Sequence, residues 1–150
     1  MQISRAILLA LPLLAAQAPA ASAAPDTGDC AVFKGADADL TMLAGALRTI
    51  GVVVSNDASA VDKREAAQTT GETLVKTSDI LANVAASVSD AGYRKTVSDY
   101  SASIKELGDI VESVDGTPDE ATTRKAQEAA KRVDSLSGDY DKAHNAACAA

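Results

Sequence analysis

The sequence has few of the residue types on which most enzyme active sites depend. Among its 150 residues it has no tryptophan, two cysteines and a single histidine, His144. A serine or cysteine nucleophile needs a general base beside it, and no G-x-S-x-G turn is present to expose a serine. Gly35 and Gly45 are isolated, so no glycine-rich phosphate loop can form around them. We therefore expect no catalytic residues and no enzymatic activity.

Long apolar runs are also scarce. The run at the start, residues 6–16, has 11 residues, which is too short to span a bilayer as a helix. It follows Arg5 and precedes Ala-Ser-Ala at residues 21–23, the small-x-small pattern that a signal peptidase recognises. We predict a signal peptide over residues 1–23 and no membrane span after its removal. The mature chain is then secreted, or retained in the periplasm or cell envelope.

Positive charge is in deficit. The chain has 14 lysines and arginines against 21 aspartates and glutamates, a formal net charge of −7. Removal of residues 1–23 takes away Arg5 and no acid, which leaves 13 against 21 and a formal charge of −8. Such a surface repels nucleic acid and anionic lipid, so we expect no nucleic-acid partner. It is compatible with cations or with a basic partner.

Four segments instead carry apolar residues at helical spacing. The clearest stripe runs from Tyr93 to Val114 in alternating steps of 4 and 3, the heptad pattern of a helix that packs along its length. The four stripes are Leu40, Leu43, Leu47, Ile50 and Val54; Ala67, Thr70, Leu74, Thr77, Leu81, Val84 and Val88; Tyr93, Val97, Tyr100, Ile104, Leu107, Val111 and Val114; and Thr122, Ala126, Ala129, Val133, Leu136, Tyr140, Ala143 and Ala147.

Capping residues set the expected limits of these helices. Asp37 or Asp39 can cap the first helix, so residues 24–36 are predicted to be an exposed lead-in before a bundle over 37–150. Phe33 is expected to plug the end of the core. For the fourth helix, Thr117 is the predicted N-cap, followed by proline at the first helical position and a capping-box glutamate.

Short connections between helices force antiparallel neighbours, so the predicted fold is all-α, an up-and-down four-helix bundle. In that topology the start of the first helix lies beside the end of the fourth. Cys30 and Cys148 occupy those two places, and an even cysteine count in an exported chain indicates a disulfide. Periodicity and cysteine position therefore lead to the same fold, closed by a Cys30–Cys148 bridge.

Two stripes contain polar residues that could line a ligand site. Thr70 and Thr77 lie on the second stripe, and Tyr93, Tyr100 and Tyr140 lie on the third and fourth. These residues could line a cavity for an apolar, lipid-like molecule between the helices. They serve equally as core residues, with threonine hydroxyls bonded to their own preceding turns.

Met42 and His144 open a third interpretation. With one methionine in the first helix and one histidine in the fourth, the chain resembles the soluble, exported four-helix b-type cytochromes, and the resemblance implies a haem between these two ligands. Two features oppose it: Met42 lies off the Leu40–Leu43 stripe, and a Cys30–Cys148 bridge between two helical spans would place Met42 and His144 at heights that differ by roughly 12 Å. No C-x-x-C-H motif is present for covalent haem attachment.

Asp141 and His144 share a helix face but suit a solvated helix end better than a metal site. We therefore predict no metal and no cofactor. The leading functional hypothesis is binding at or outside the cell surface, with a protein partner or, as the alternative, an apolar small molecule.

Overall fold

The chain folds into four α-helices that pack against one another. The computed structural model describes residues 28–53, 59–115 and 117–149, with only the backbone for 46–53. The predicted signal peptide lies outside these residues, as do Val54 and the side chains of Leu47 and Ile50. The helices are α1 (Asp29–Val53), α2 (Ala60–Ser87), α3 (Ala91–Glu112) and α4 (Glu120–Ala149). The predicted all-α bundle is confirmed.

Contacts between α2 and α3 run in opposite directions along the two helices. The hydroxyl oxygens of Ser78 and Ser101 lie 3.1 Å apart, and Gly71, two turns earlier on α2, lies beside Glu112 near the end of α3. The same is true of α3 and α4, where Tyr100 contacts Tyr140 and an ion pair joins residues 106 and 132. These three helices are therefore antiparallel neighbours.

On α2, α3 and α4 the predicted stripes are the buried faces of the helices. On α3, Val97, Tyr100, Ile104, Leu107 and Val111 are all buried. Their counterparts on α2 and α4 are buried in the same way: Thr70, Leu74, Thr77, Leu81 and Val84, with Val88 just beyond α2, and Ala126, Ala129, Val133, Tyr140 and Ala143. Large side chains are few in this core, so its packing depends on how closely the helix axes approach.

Small residues permit that close approach between α2 and α3. A Cβ on Gly71 would lie 2.7 Å from the Cβ of Glu112, and one on Gly108 would lie 3.1 Å from the carbonyl oxygen of Gly71. About two turns away along both helices, the buried Ser101 hydroxyl donates to the carbonyl oxygen of Ser78 at 2.8 Å. We call Gly71, Ser78, Ser101 and Gly108 the glycine seam. Its glycines are a packing requirement, because any larger residue would push the helices apart.

The first helix begins about two turns earlier than the sequence predicted. We expected a start at residues 37–39 after an exposed lead-in over 24–36, but α1 begins at Asp29. The expectation was wrong because the apolar 3–4 spacing continues backward beyond the first stripe, to Ala36 and Phe33. Both side chains are buried, and Phe33 is fully so. The role predicted for Phe33, a plug at the end of the core, is confirmed.

The start of α4 also differs from the prediction. The N-cap is Asp119 and not Thr117, because the Asp119 carboxylate accepts a bond from the backbone N–H of Thr122 at 2.7 Å. This bond holds the pKa of the Asp119 carboxyl below its usual value. A carboxylate at a helix N-terminus also interacts favourably with the helix dipole, an advantage that a threonine hydroxyl lacks.

The predicted disulfide between Cys30 and Cys148 is present and joins the start of α1 to the end of α4. Because these residues are 118 positions apart, the chain-entropy model assigns the bridge about 4–5 kcal/mol of stabilisation through restriction of the unfolded chain. Over its described side chains α1 buries four residues, Cys30, Phe33, Ala36 and Leu40. The disulfide therefore fastens the end of α1 at which these four side chains are buried.

Candidate functional site

All four aromatic side chains of the sequence and its single histidine gather at one end of the bundle, which we call the aromatic end. The ring of Phe33 is at its centre. Its centroid lies 5.5 Å from that of Tyr140 and 6.2 Å from that of Tyr93, both in edge-to-face geometry, and 5.3 Å from that of His144. Tyr100 completes the group through a 5.5 Å contact with Tyr140. Helices α1, α3 and α4 each contribute to this cluster.

Asp29 fixes α1 against the turn between α2 and α3. Its two carboxylate oxygens accept hydrogen bonds from the backbone N–H groups of Ser89 at 2.6 Å and Asp90 at 2.9 Å. On the other side of the turn, the Arg94 guanidinium donates to the carbonyl oxygen of Val88 at 3.0 Å. These bonds, together with the disulfide one residue after Asp29, position the aromatic end.

Two buried polar atoms at the aromatic end have no hydrogen-bond partner among the described residues. They are the hydroxyl oxygen of Tyr140 and Nε2 of His144. The nearest anion to the imidazole is Asp37 on α1, whose Oδ2 lies 3.6 Å from Nε2. This distance is too long for a hydrogen bond but short enough for an ion pair if the imidazole is protonated.

Burial controls the charge states of the groups around these atoms. It raises the pKa of Tyr100 to about 12, with a further contribution from the nearby Asp141 carboxylate. The pKa of Tyr140 is raised as well, mainly by burial and then by Asp37. Burial also raises the pKa of Asp141, an effect that His144 partly opposes. Both tyrosines are therefore neutral at physiological pH.

The five residues predicted to line a ligand site are only partly brought together. Tyr93, Tyr100 and Tyr140 meet at the aromatic end, whereas Thr70 and Thr77 lie further along α2. From the α2–α3 register, Thr70 is about 24 Å along the bundle axis from Tyr93. Both threonines are buried, and the Thr77 hydroxyl donates to the carbonyl oxygen of Thr73, one turn earlier, at 2.8 Å. This is the packing role that the sequence offered as the alternative.

Met42 and His144 do not share a buried slot. The side chain of Met42 is 65% exposed on α1, while His144 packs against Phe33 and Tyr140. Because α1 is helical from Asp29 onward, the disulfide register keeps the two residues roughly 12 Å apart in height. The arrangement does not resemble a pair of facing haem ligands.

An open depression of about 490 Å³ lies between α3 and α4, next to the aromatic end. Its floor contains the side chains of Tyr93 and Leu136, and three carboxylates stand on its sides. The lining residues are Asp90, Gly92, Tyr93, Thr96, Asp99, Leu136, Asp139, Lys142, Ala143 and Ala146. We call this feature the α3–α4 depression. It combines an apolar floor with an excess of negative charge.

The three carboxylates of the depression already have partners. Asp90 caps α3 by accepting from the backbone N–H groups of Gly92 and Tyr93. Asp99 pairs with Lys95 on the same helix, and Asp139 pairs with Lys142. The two lysine side chains are 76% and 79% exposed. Exposed pairs of this kind contribute little to stability, so their carboxylates can exchange partners.

Sequence reasoning missed the bonds of Asp29 to the turn, the contact of Asp37 with His144 and the contacts of Phe33 with the tyrosines. It placed Asp29 and Phe33 outside the helices and assigned Asp37 only a capping role. A usable signal was present. Phe33, Ala36 and Leu40 are spaced by 3 and 4, the same steps as in the other stripes. The basic residues on the first half of α4 do not line the depression; they are Arg124, Lys125, Lys131 and Arg132.

A scan against protein-family models and searches of curated proteins and of solved structures found no match to this chain. Over the residues that the structure describes, none of the helices is long and apolar enough to cross a membrane. In that same part of the chain, histidine, cysteine and carboxylate side chains do not form a group of three or more that could hold a metal ion.

Proposed function

We propose that the protein is an exported, non-enzymatic binding protein whose α3–α4 depression receives a basic, partly apolar segment of a partner protein. The observation that supports this most directly is the pairing of an apolar floor at Tyr93 and Leu136 with the Asp90, Asp99 and Asp139 carboxylates. A depression of about 490 Å³ is in the size range of small-ligand pockets. It would therefore hold a few side chains at the centre of a larger interface.

Export is supported by two features of the chain. The apolar run over residues 6–16 is followed by a cleavage pattern for signal peptidase. The Cys30–Cys148 bridge, for its part, belongs to the kind of covalent link that persists in oxidising compartments outside the cytoplasm. The mass of the protein recovered from culture medium or periplasm tests this part, since it must equal that of residues 24–150 less two hydrogens.

The same mass spectrum, recorded under native conditions, tests the alternatives. An additional mass equal to that of a lipid would support the carrier interpretation. An additional mass equal to that of haem would support Met42 and His144 as haem ligands. The proposal requires neither.

A non-enzymatic role is supported by the engagement of the residues that usually carry out catalysis. Both cysteines are in the disulfide, and the single histidine is packed against two rings with Asp37 as its nearest anion. Without a free thiol or an accessible imidazole beside a hydroxyl, nucleophilic catalysis lacks its usual base.

The charge of the depression selects the partner. Its three carboxylates outnumber Lys142, the only cation among its lining residues, and the formal charge of the chain is −7. A partner lysine or arginine can replace Lys95 at Asp99 or Lys142 at Asp139, because both of these lysines are largely exposed. An apolar side chain next to it in the partner would cover Tyr93 and Leu136. Complementary charge would mainly raise the association rate and exclude acidic partners.

A peptide titration of the isotope-labelled mature protein tests this site. The probe is a short synthetic peptide that alternates arginine and leucine, and the control peptide has glutamate in place of arginine. We expect shifts of the Tyr93, Thr96, Leu136 and Ala143 amide signals with the basic peptide only. In Asp99→Asn/Asp139→Asn, affinity should fall by about two- to fivefold for each carboxylate, the equivalent of one exposed ion pair.

The matched control is Asp79→Asn/Asp109→Asn. It removes the same charge and, like Asp99, Asp109 pairs with a lysine four residues earlier. Equal losses of affinity in the two double variants would mean that the peptide responds to net charge, and the proposed site would be wrong. Shifts that avoid the depression would lead to the same conclusion.

A further inference from the structure

The imidazole of His144 lies where its protonated form would gain interactions that its neutral form lacks. Its neutral imidazole leaves Nε2 buried without a hydrogen-bond partner among the described residues. A protonated imidazole would face the Asp37 carboxylate, whose Oδ2 is 3.6 Å away across the α1–α4 interface. The Phe33 ring, with its centroid at 5.3 Å, lies close enough to interact with the resulting cation.

We propose that His144 is a proton-operated clasp between α1 and α4, which forms an ion pair with Asp37 when the imidazole is protonated and loses it when the imidazole is neutral. The clasp lies about one turn from the disulfide along α4 and about two turns from it along α1. This inference goes beyond the proposed binding function and does not depend on it.

The charged groups around the imidazole favour its protonated form. Asp37 is the carboxylate that α1 places near the imidazole. The side chain of Lys34 on the same helix is exposed. From α4 comes Asp141, three residues before His144 and electrostatically coupled to it, and Lys142 there is paired with Asp139. From α3 comes Tyr100, which remains neutral because burial raises its pKa to about 12. Two carboxylates, Asp37 and Asp141, therefore interact electrostatically with the imidazole.

The partial exposure of His144 makes protonation feasible. Its side chain is 24% exposed and that of Asp37 46%, so both charged forms keep part of their hydration. A fully buried pair would lose more in desolvation than the ion pair returns. The linkage between proton binding and folding gives the direction in which stability changes with pH. The ion pair forms only with the protonated imidazole, so the stability that it adds is present at acidic pH and is lost when the imidazole is deprotonated.

Because His144 is the only histidine, its imidazole gives a unique signal in a nuclear magnetic resonance titration of the disulfide-bonded mature protein. We expect the midpoint of that titration to move to lower pH in Asp37→Asn. The control Asp134→Asn removes an exposed charge of α4 about 15 Å along the helix, and its curve should match that of the unaltered protein. Coincident curves for the unaltered protein and Asp37→Asn would overturn the proposal.

Unfolding by urea gives the second readout. Between pH 8 and pH 5.5 the unfolding equilibrium constant of the unaltered protein should fall by about two- to fivefold more than that of His144→Gln, as for one partly exposed ion pair. The comparison with His144→Gln cancels the general effect of acid on an acidic protein. If both proteins show the same pH dependence, the imidazole does not fasten the two helices and the proposal fails.

Discussion

The aromatic end and the glycine seam are two different solutions to the same packing problem. At the aromatic end, α1, α3 and α4 meet through rings whose centroids are 5.3–6.4 Å apart. At the glycine seam, α2 and α3 approach until the backbone at Gly71 lies against Glu112. Large side chains fill space between helices that remain apart, whereas small ones remove that space.

The two regions also differ in whether their buried polar groups have hydrogen-bond partners. At the seam, the buried Ser101 hydroxyl donates to the Ser78 carbonyl oxygen. At the aromatic end, the hydroxyl of Tyr140 and Nε2 of His144 are buried without partners among the described residues. An unpaired buried polar group costs about 1–3 kcal/mol, so the seam is the better satisfied region and the aromatic end is the one that protonation can change.

Removal of the central ring should have the largest effect. Phe33→Ala takes away the side chain that contacts Tyr93, Tyr140 and His144, and we expect a loss of about 3–5 kcal/mol in the free energy of unfolding. Urea unfolding followed by circular dichroism measures it. Met42→Ala is the matched control, because it shortens a large apolar side chain of the same helix that is 65% exposed. Its effect should stay within about 0.5 kcal/mol.

If Phe33→Ala cost no more than Met42→Ala, the aromatic end would not be a stabilising core. The attachment of α1 would then depend mainly on the disulfide and on the bonds of Asp29 to the turn.

Addition of one methyl group distinguishes the glycine seam from ordinary helix positions. Gly71→Ala would force its Cβ to within 2.7 Å of the Glu112 Cβ, and we expect a loss of about 1–3 kcal/mol from overpacking. Gly138→Ala is the control, because no atom lies within 4 Å of its added Cβ. It should instead stabilise the protein by about 0.5–1 kcal/mol through its better helix propensity. Thermal unfolding of the two variants should therefore shift in opposite directions.

If Gly71→Ala proved as stabilising as Gly138→Ala, α2 and α3 would be able to separate at little cost. The distinction between the two regions would then disappear.

The sequence predicted the buried stripes and the disulfide. It did not predict that the bundle divides into the aromatic end and the glycine seam. Heptad spacing reveals which face of a helix is buried, and the stripes of α2, α3 and α4 follow it. It does not reveal how far apart two helices lie, since Gly71 and Gly138 look alike in a sequence. The contact geometry of their neighbours decides which of them is required.

The candidate site was predictable only in part, for a related reason. Tyr93, Tyr100 and Tyr140 were predicted to line a ligand cavity or to serve as core residues, and the structure brings them together at the aromatic end without Thr70 and Thr77. The contacts of Phe33 with the tyrosines and of Asp37 with His144 were missed, because the predicted helix start placed Phe33 in a lead-in and Asp37 at the helix cap. A contact between α1 and α4 depends on both helices, so an error of about two turns in one is enough to hide it.

The smallest expected effect is a pH-dependent loss of stability at the aromatic end, which comes from Asp29 and does not extend to the glycine seam. The backbone N–H groups of Ser89 and Asp90 hold the pKa of the Asp29 carboxyl below its ordinary value of 3.8. The charged form is therefore favoured by folding, so its contribution is present above about pH 4 and is lost as the pH falls through the lowered value. In Asp29→Asn, the decline in melting temperature between pH 5 and pH 3 should be shallower than in the unaltered protein.

Amide hydrogen exchange shows whether that loss is confined to the aromatic end. In Asp29→Asn the amides of Ser89 and Asp90 should exchange faster, while those of Ser78 and Ser101 in the glycine seam should not change. Asp39→Asn, an exposed charge on α1, serves as the control and should leave all four unaltered. Faster exchange throughout the bundle would mean that the two regions unfold as one unit. Faster exchange at the turn alone would mean that acid below pH 4 loosens α1, the helix that the His144 clasp fastens at milder acidity.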